Sequence, residues 1–155
     1  MNKPPSITVL SLGTNIEPRQ ANLNEARERI NNIPSTRISQ ISSVIETDPV
    51  DVPKEFLDKK FLNQVVIVET TLDVKVFSDA IHKIEDDMGR IRGPVRNTPR
   101  PIDIDIITFD DLQINTPELT LPHPRAHERD FVMKPLREII PNFIFPSSNQ
   151  VEQFS

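Results

Sequence analysis

The chain has 155 residues, 36% of them hydrophobic and 26% charged, a composition typical of a globular protein rather than a disordered one. It contains no cysteine, which excludes disulfides, thiolate metal sites and a cysteine nucleophile. The net charge of −5 argues against nucleic-acid binding, and the short first apolar run, Ile7 to Leu12, argues against a membrane span. We therefore expect a single soluble cytoplasmic domain over residues 1–155.

The first half of the chain predicts a strand, a helix and a second strand. Residues 6–12 predict a strand that ends at Gly13. A helix that Pro34 ends is predicted next, because apolar residues recur at helical spacing: Leu23, Ala26, Ile30 and Ile33. Residues 36–47 predict the second strand, and a polar loop over residues 48–60 follows it.

The second half predicts a strand, a helix, a strand and a short helical tail. Residues 61–70 form the clearest strand pattern of the chain. A second helix follows, with Thr71 or Asp73 as its N-cap and Gly89 at its end, and its apolar stripe is Phe77, Ile81, Ile84 and Met88. After it we expect an irregular basic segment over 90–100, a strand over 102–109, a small hairpin at 110–111 and a helix around 129–140.

The order strand, helix, strand, strand, helix, strand predicts an α+β fold. It is the order of the ferredoxin-like split βαβ arrangement, here with a C-terminal extension. Because that fold hosts many functions, the function must be argued from side chains.

Two aspartates alternate with isoleucines in Ile102-Asp103-Ile104-Asp105-Ile106. On a strand the two carboxylates share one face, roughly 7 Å apart, and repel each other. They are either two solvated carboxylates or ligands of a divalent cation. Because the chain offers oxygen rather than thiolate donors, the cation reading favours Mg²⁺.

The segment over residues 90–100 contains four arginines and no acidic residue, and it leads directly into the two aspartates. Such a neighbourhood is either a set of surface ion pairs or a polyphosphate site, in which aspartates hold Mg²⁺ and arginines neutralise phosphate oxygens. No glycine-rich nucleotide-binding motif is present, so side chains would have to hold the phosphates.

The histidines give weaker signals. His123 and His127 are four residues apart, as helical zinc ligands are, but Pro124 separates them and a hydrogen-bonding role is favoured over zinc. His82 on the second helix reads as an ordinary, partly exposed histidine from its position alone.

Phe61 and Asn63 open the third strand and share a face with Val65 and Ile67. Phe61 is either a core residue or, together with the amide of Asn63, part of a site that stacks on and hydrogen-bonds a flat heterocycle.

These motifs together resemble the 6-hydroxymethyl-7,8-dihydropterin pyrophosphokinase family of folate biosynthesis. The main resemblance is the run from Arg96 to Ile107, which contains both aspartates. Further matching segments are Leu12-Gly13-Thr14-Asn15, Phe61-Leu62-Asn63, Ile84-Glu85, Gly89-Arg90, Leu121-Pro122-His123, Arg129-Asp130-Phe131 and Pro135-Leu136.

The resemblance implies an enzyme that transfers the terminal pyrophosphate of ATP to the hydroxymethyl oxygen of a dihydropterin and releases AMP. It implies that Asp103 and Asp105 hold two Mg²⁺ ions and act in catalysis with Arg90 and Arg100. On the ATP side it implies His82, Glu85, Arg92, Ile106, His123 and Arg129. Around the pterin it implies Thr47, Phe61, Asn63 and Phe131, with the two phenylalanines on opposite faces of the ring.

The expected partners are therefore ATP and a dihydropterin, without nucleic acid or membrane, and the expected state is a monomer. The sequence is also compatible with two other functional classes of protein. One is a non-catalytic ferredoxin-like module that binds a small ligand or a partner. The other is an RNA-binding module of that fold, which the aromatic content of 5% disfavours, since such modules stack bases on surface aromatics.

Overall fold

The computed structural model describes residues 4–48, 60–91 and 101–146, and only the backbone of residues 90 and 91. Five strands form one sheet: β1 (Ser6–Thr14), β2 (Thr36–Ile41), β3 (Ile45–Thr47), β4 (Phe61–Thr70) and β5 (Asp103–Phe109). The strand order is β2–β4–β1–β5, with β3 also paired to β4, and every pairing is antiparallel. The central strands β1 and β4 therefore carry residues that neighbouring strands flank on both sides.

Three helices cover the sheet: α1 (Arg19–Asn31), α2 (Val74–Ile91) and α3 (Asp130–Ile139). α1 and α2 pack on one face, where Leu23 and Phe77 join Leu10 and Val66 of the sheet in the larger core. α3 packs on the opposite face through Val132 and Leu136, against the alternate strand residues Val9, Val65, Ile67 and Ile107. The alternation of side chains along β1, β4 and β5 thus supplies both cores.

The α+β class and the limits of β4 are confirmed, and the predicted order of strands and helices up to β5 holds apart from the division of the second strand. The helical tail is confirmed as α3, and Asp73 is the residue that caps α2, since its Oδ2 accepts the backbone N–H of Lys75 at 3.2 Å. The finer ferredoxin-like assignment stays a prediction.

Several boundaries differ from the prediction. β1 continues through Gly13 to Thr14, because both residues pair with β4. The predicted strand over 36–47 is two strands, β2 and β3, separated by residues 42–44. α1 ends at Asn31, and Ile33 is buried just beyond it.

Further along the chain, Gly89 lies inside α2 rather than at its end. Residues 110–111 form a turn in which Asp110 has a φ of 51°, but no hairpin follows directly. The small hairpin is instead made by β6 (Ile114–Asn115) and β7 (Thr120–Leu121). Most of the predicted polar loop and basic segment, residues 49–59 and 92–100, lies outside the described residues.

None of the helices in the described ranges is long and apolar enough to span a membrane.

Candidate active site

A cavity of about 550 Å³ opens on the α3 side of the sheet, beyond the part that α3 covers. Its floor is formed by Ser11 and Gly13 of the central strand β1. The antiparallel pairing explains which side chains surround this floor. Gly13 pairs with Asn63 on one side and with Asp103 on the other, and Ser11 pairs with Asp105. Because neighbouring strands lie about 4.8 Å apart, Asn63 and Asp103 are placed roughly 10 Å apart across β1.

The β5 side of the cavity is acidic. Asp103 is exposed and Asp105 is half-buried, and both line the cavity. Between and beyond them, Ile104 and Ile106 are buried on the opposite face, in the core under α1 and α2. The predicted placement of the two carboxylates on one face is therefore confirmed.

Helix α2 holds this part of β5 in place. Oε2 of the buried Glu85 accepts the backbone N–H of Ile104 at 2.7 Å. In the described part of the chain β5 pairs with β1 alone, so its outer edge has backbone groups without a strand partner. Glu85 provides an acceptor for the edge N–H that lies between the two aspartates.

His123 lies next to the acidic side. Its backbone N–H donates to the carbonyl of Ile107 at 2.8 Å, and its Nδ1 accepts the backbone N–H of Arg125 at 3.2 Å. Burial lowers the pKa of His123, an effect that the Asp105 carboxylate opposes and that Arg129 and Arg125 reinforce. The lowered pKa favours the neutral imidazole, and because Nδ1 accepts a hydrogen bond, the proton of that form is on Nε2.

The β4 side of the cavity is aromatic and amide-bearing. Asn63 is only 3% exposed, and its Nδ2 donates to Oγ1 of Thr47 at 2.6 Å. Phe61 is half-buried, lines the cavity and belongs to neither core cluster. Phe131, at the start of α3, lines the same cavity. The guanidinium carbon of Arg129 lies 5.5 Å from the centre of the Phe131 ring, a cation–π contact.

The structure brings most of the predicted site residues together. Those that line the cavity are Asp103, Asp105, Thr47, Phe61, Asn63, Arg129 and Phe131. His123 does not line the cavity, but it interacts electrostatically with two residues that do, Asp105 and Arg129.

Other predicted residues lie elsewhere. His82 is exposed on α2 and is not part of the cavity lining. The side chain of Ile106 is in the core, so a nucleotide contact would have to come from its backbone. Glu85 also lies outside the lining, behind β5. The side chain of Arg90, and all of Arg92 and Arg100, lie outside the described residues.

Sequence reasoning missed several lining residues: Ser11, Gly13, Asp48, Arg125, Glu128 and Asp130. Only Gly13 had a usable signal, since a glycine inside a strand marks close approach of another group. The others are ordinary polar residues whose position depends on tertiary contacts.

The donor atoms of the acidic side suit a hard cation. The described residues contain no cluster of three or more His, Asp or Glu that could hold a metal ion. Two carboxylates on one strand are nevertheless the usual protein share of a Mg²⁺ site, in which waters and substrate phosphates provide the remaining oxygens. Asp103 and Asp105 therefore fit Mg²⁺ as carboxylate ligands.

Fold and cavity together define an α+β protein with one cavity that has a pair of carboxylates on one side and aromatic rings and an amide on the other. Residues 9–141 match the family described as 7,8-dihydro-6-hydroxymethylpterin-pyrophosphokinase (HPPK), and the chain belongs to this family.

Individual relatives agree with this assignment. The chain is 37% identical over 134 residues to the 2-amino-4-hydroxy-6-hydroxymethyldihydropteridine pyrophosphokinase of Bacillus subtilis, covering 86% of this chain and 78% of that protein. It is 38% identical to the bifunctional protein FolKE of Lactococcus lactis, over 86% of this chain but 37% of the relative. The chain thus spans most of the first relative and well under half of the second.

Among solved structures, the HPPK-DHPS of Plasmodium falciparum with pteroate superposes with a TM-score of 0.69. The identity is 17%, and the match covers 94% of this chain and 41% of that one. At this identity the likeness shows the fold alone.

Proposed function

We propose that the protein transfers the pyrophosphoryl group of ATP to the hydroxymethyl group of 6-hydroxymethyl-7,8-dihydropterin and releases AMP. The observation that carries the proposal is the single cavity that has Asp103 and Asp105 on one side and Phe61, Asn63 and Phe131 on the other. Family membership supports the same reaction.

The β4 side of the cavity suits the pterin. A pterin is flat and has a rim of hydrogen-bond donors and acceptors. Phe61 and Phe131 offer aromatic faces for stacking, and the amide of Asn63 can both donate and accept. The bond from Asn63 Nδ2 to Thr47 restrains the amide before any ligand binds.

The β5 side suits the phosphates. Asp103 and Asp105 would hold two Mg²⁺ ions, which when bound neutralise phosphate charge. Arg129, which lines the cavity, would donate to phosphate oxygens, and His123, which interacts electrostatically with Asp105 and Arg129, would lie on the ATP side. The predicted phosphate contacts of Arg90, Arg92 and Arg100, and the ATP-side roles of His82, Glu85 and Ile106, stay predictions.

The reaction forms one bond and breaks one. The hydroxymethyl oxygen attacks the β-phosphorus of ATP, and the bond from that phosphorus to the oxygen of the α-phosphate breaks. AMP takes the electron pair of the broken P–O bond, and the hydroxyl proton passes to water. Such transfers require chiefly positioning and charge neutralisation from the protein. The strand registers, which put Asn63 and Asp103 roughly 10 Å apart across β1, support a pterin on one side of the cavity and Mg²⁺-bound phosphates on the other.

The test is to incubate the protein with ATP, Mg²⁺ and the dihydropterin and to separate the nucleotide products. We expect AMP in amounts equal to the pterin diphosphate formed. ADP instead of AMP would make the protein an ordinary kinase. Ligand binding without either product would favour the non-catalytic binding module. The monomeric state and cytoplasmic location belong to the same proposal, and gel filtration with light scattering tests the first.

A further inference from the structure

We propose that Gly13 is a positioning residue, because the missing side chain at this position leaves room for the amide of Asn63 in the orientation in which it is bound to Thr47. The inference deepens the proposed function and rests on it for what Asn63 recognises. Gly13 lies on the central strand directly between these two residues, paired to Asn63 of β4 and to Asp103 of β5.

The space above Gly13 is occupied by Asn63. A Cβ atom placed on Gly13 would lie 2.9 Å from Oδ1 of Asn63. Its other near neighbours, the Phe61 ring and the carbonyl of Leu62, would be at 3.9 Å, an ordinary van der Waals distance. Any larger residue at position 13 therefore collides with one specific group, the side-chain oxygen of Asn63.

The backbone itself does not require glycine here. Gly13 is in a regular strand, and its φ is outside the left-handed region. An alanine could adopt this conformation, and a non-glycine residue is favoured inside a strand. Glycine is therefore required at position 13 by the neighbouring Asn63 amide and not by the backbone conformation of the strand.

Asn63 cannot move away without a penalty. It is 3% exposed, and its Nδ2 donates to Thr47 Oγ1 at 2.6 Å. Rotating the amide to avoid a Cβ lengthens or breaks this bond and leaves a buried amide without its partner, which costs free energy. The amide would then face the cavity in another orientation, and its hydrogen bonds to the edge of the pterin would be weaker.

The test compares Gly13→Ala with Gly89→Ala as the matched control. A Cβ on Gly89 meets none of the described atoms within 4 Å, so the same chemical change there has no collision partner. We expect Gly13→Ala to raise the pterin Kd by roughly tenfold or more, and Gly89→Ala to change it by less than about twofold. We expect the affinity for a non-hydrolysable ATP analogue with Mg²⁺ to be unchanged in both variants.

A double-mutant cycle assigns the effect to Asn63. In an Asn63→Ala background the colliding oxygen is absent, so we expect Gly13→Ala to change the pterin Kd by less than about twofold. If the single variant fails to fold, restored folding in the double variant gives the same assignment. An unchanged pterin Kd in Gly13→Ala, or effects of the two substitutions that simply add, would overturn the inference.

A second readout separates this inference from the proposed function. In ligand-free protein, the side-chain amide NMR signals of Asn63 should shift in Gly13→Ala and stay in place in Gly89→Ala. If wild-type protein binds no dihydropterin, the proposed function is wrong. The NMR signals still show whether Gly13 determines the orientation of the Asn63 amide. Unshifted Asn63 signals in Gly13→Ala would reject the positioning role whatever the ligand.

Discussion

The carboxylate of Glu85 accepts the backbone N–H of Ile104 at 2.7 Å and so ties helix α2 to the residue between Asp103 and Asp105. Glu85 is buried, and in the described part of the chain β5 has β1 as its only neighbour. The Glu85 carboxylate thus accepts an edge N–H of β5 that a further strand would otherwise bind. The resemblance implied that Glu85 lies on the ATP side, and the structure shows it bound to the backbone between the two aspartates.

Glu85→Ala should destabilise the protein by about 1–3 kcal/mol, because a buried backbone N–H loses its acceptor. It should also raise the Mg²⁺ concentration needed for half-maximal activity, since the backbone between the aspartates is no longer held. Glu85→Gln keeps an acceptor oxygen and should show smaller changes in both. Thermal unfolding and a Mg²⁺ titration of activity provide the measurements.

The control for this pair is Asp79→Ala, on the same helix. Asp79 is exposed and pairs with Lys75 at 3.0 Å, and exposed pairs of this kind contribute little. A Glu85→Ala variant that melts earlier but keeps the wild-type Mg²⁺ dependence would reduce Glu85 to a purely structural residue.

Asp103→Ala and Asp105→Ala should each nearly abolish pyrophosphoryl transfer and leave the fold intact. Neither aspartate is buried, and removing one relieves the repulsion between two carboxylates on one face of β5. Initial rates of AMP release and a thermal melt of each variant measure the two effects. Asp111→Ala, at an exposed turn beyond the end of the same strand, is the control and should keep wild-type rates. Wild-type rates in the first two variants would refute the assignment of these carboxylates to Mg²⁺.

Phe61→Ala should weaken dihydropterin binding by roughly tenfold or more, because one stacked aromatic face contributes about 1–3 kcal/mol. It should alter stability little, since Phe61 is half-buried and belongs to neither core cluster. Calorimetric titration with the pterin and a thermal melt of the variant decide whether Phe61 stacks on the ligand or belongs to the hydrophobic core.

Phe109→Ala provides the contrast. Phe109 is 3% exposed and packs on Phe77 with ring centres 5.7 Å apart, so its truncation should cost about 3–5 kcal/mol of stability. Its pterin affinity should stay near wild type wherever the variant is folded. If Phe61→Ala behaved like Phe109→Ala, the proposed stacking role of Phe61 would have to be abandoned.

Arg129→Met should weaken binding of the Mg²⁺ complex of an ATP analogue and change pterin affinity much less. The guanidinium of Arg129 lies 5.5 Å from the centre of the Phe131 ring. Methionine keeps a long apolar side chain against that ring but removes the charge that phosphates require. Separate titrations with the nucleotide and the pterin measure the split. Equal losses for both ligands would mean that Arg129 acts chiefly by holding Phe131.

Glu138→Ala should lower the melting temperature at neutral pH, and the difference from wild type should shrink as the pH falls. Both carboxylate oxygens of Glu138 accept bonds of 2.7 Å from Ser43, one from its hydroxyl and one from its backbone N–H. These bonds lower the pKa of Glu138 in the folded state. The stabilisation is therefore present above about pH 4.3, the ordinary pKa of glutamate, and is lost as the pH falls through the lower folded-state value.

Thermal melts of both proteins over a pH series test this contact. Glu118→Ala, at an exposed position between β6 and β7, is the control and should leave the melting temperature near that of wild type. A constant difference at all pH values would mean that the Glu138 carboxylate is not responsible.

Local periodicity determined much of the fold from the sequence. The apolar run of β4, the stripe of α2 and the alternation of Asp103 and Asp105 with buried isoleucines each repeat over a few residues, and the structure shows each of them. Such patterns are readable because the side-chain period of a strand or helix depends only on neighbours in the chain. That the two aspartates share one face of β5, opposite the buried isoleucines, could be predicted for this reason.

Tertiary structure alone decided which distant residues meet. Phe61 and Phe131 are seventy positions apart, and they line one cavity because α3 packs on the sheet face to which Asn63 and Asp105 also point. The place of Gly13 between Asn63 and Asp103 follows from the registers of two strand pairings, and the bond from Glu85 to Ile104 from the packing of α2 at a sheet edge. Strand register and helix packing are set by the whole core at once, so no short segment of the sequence contains them.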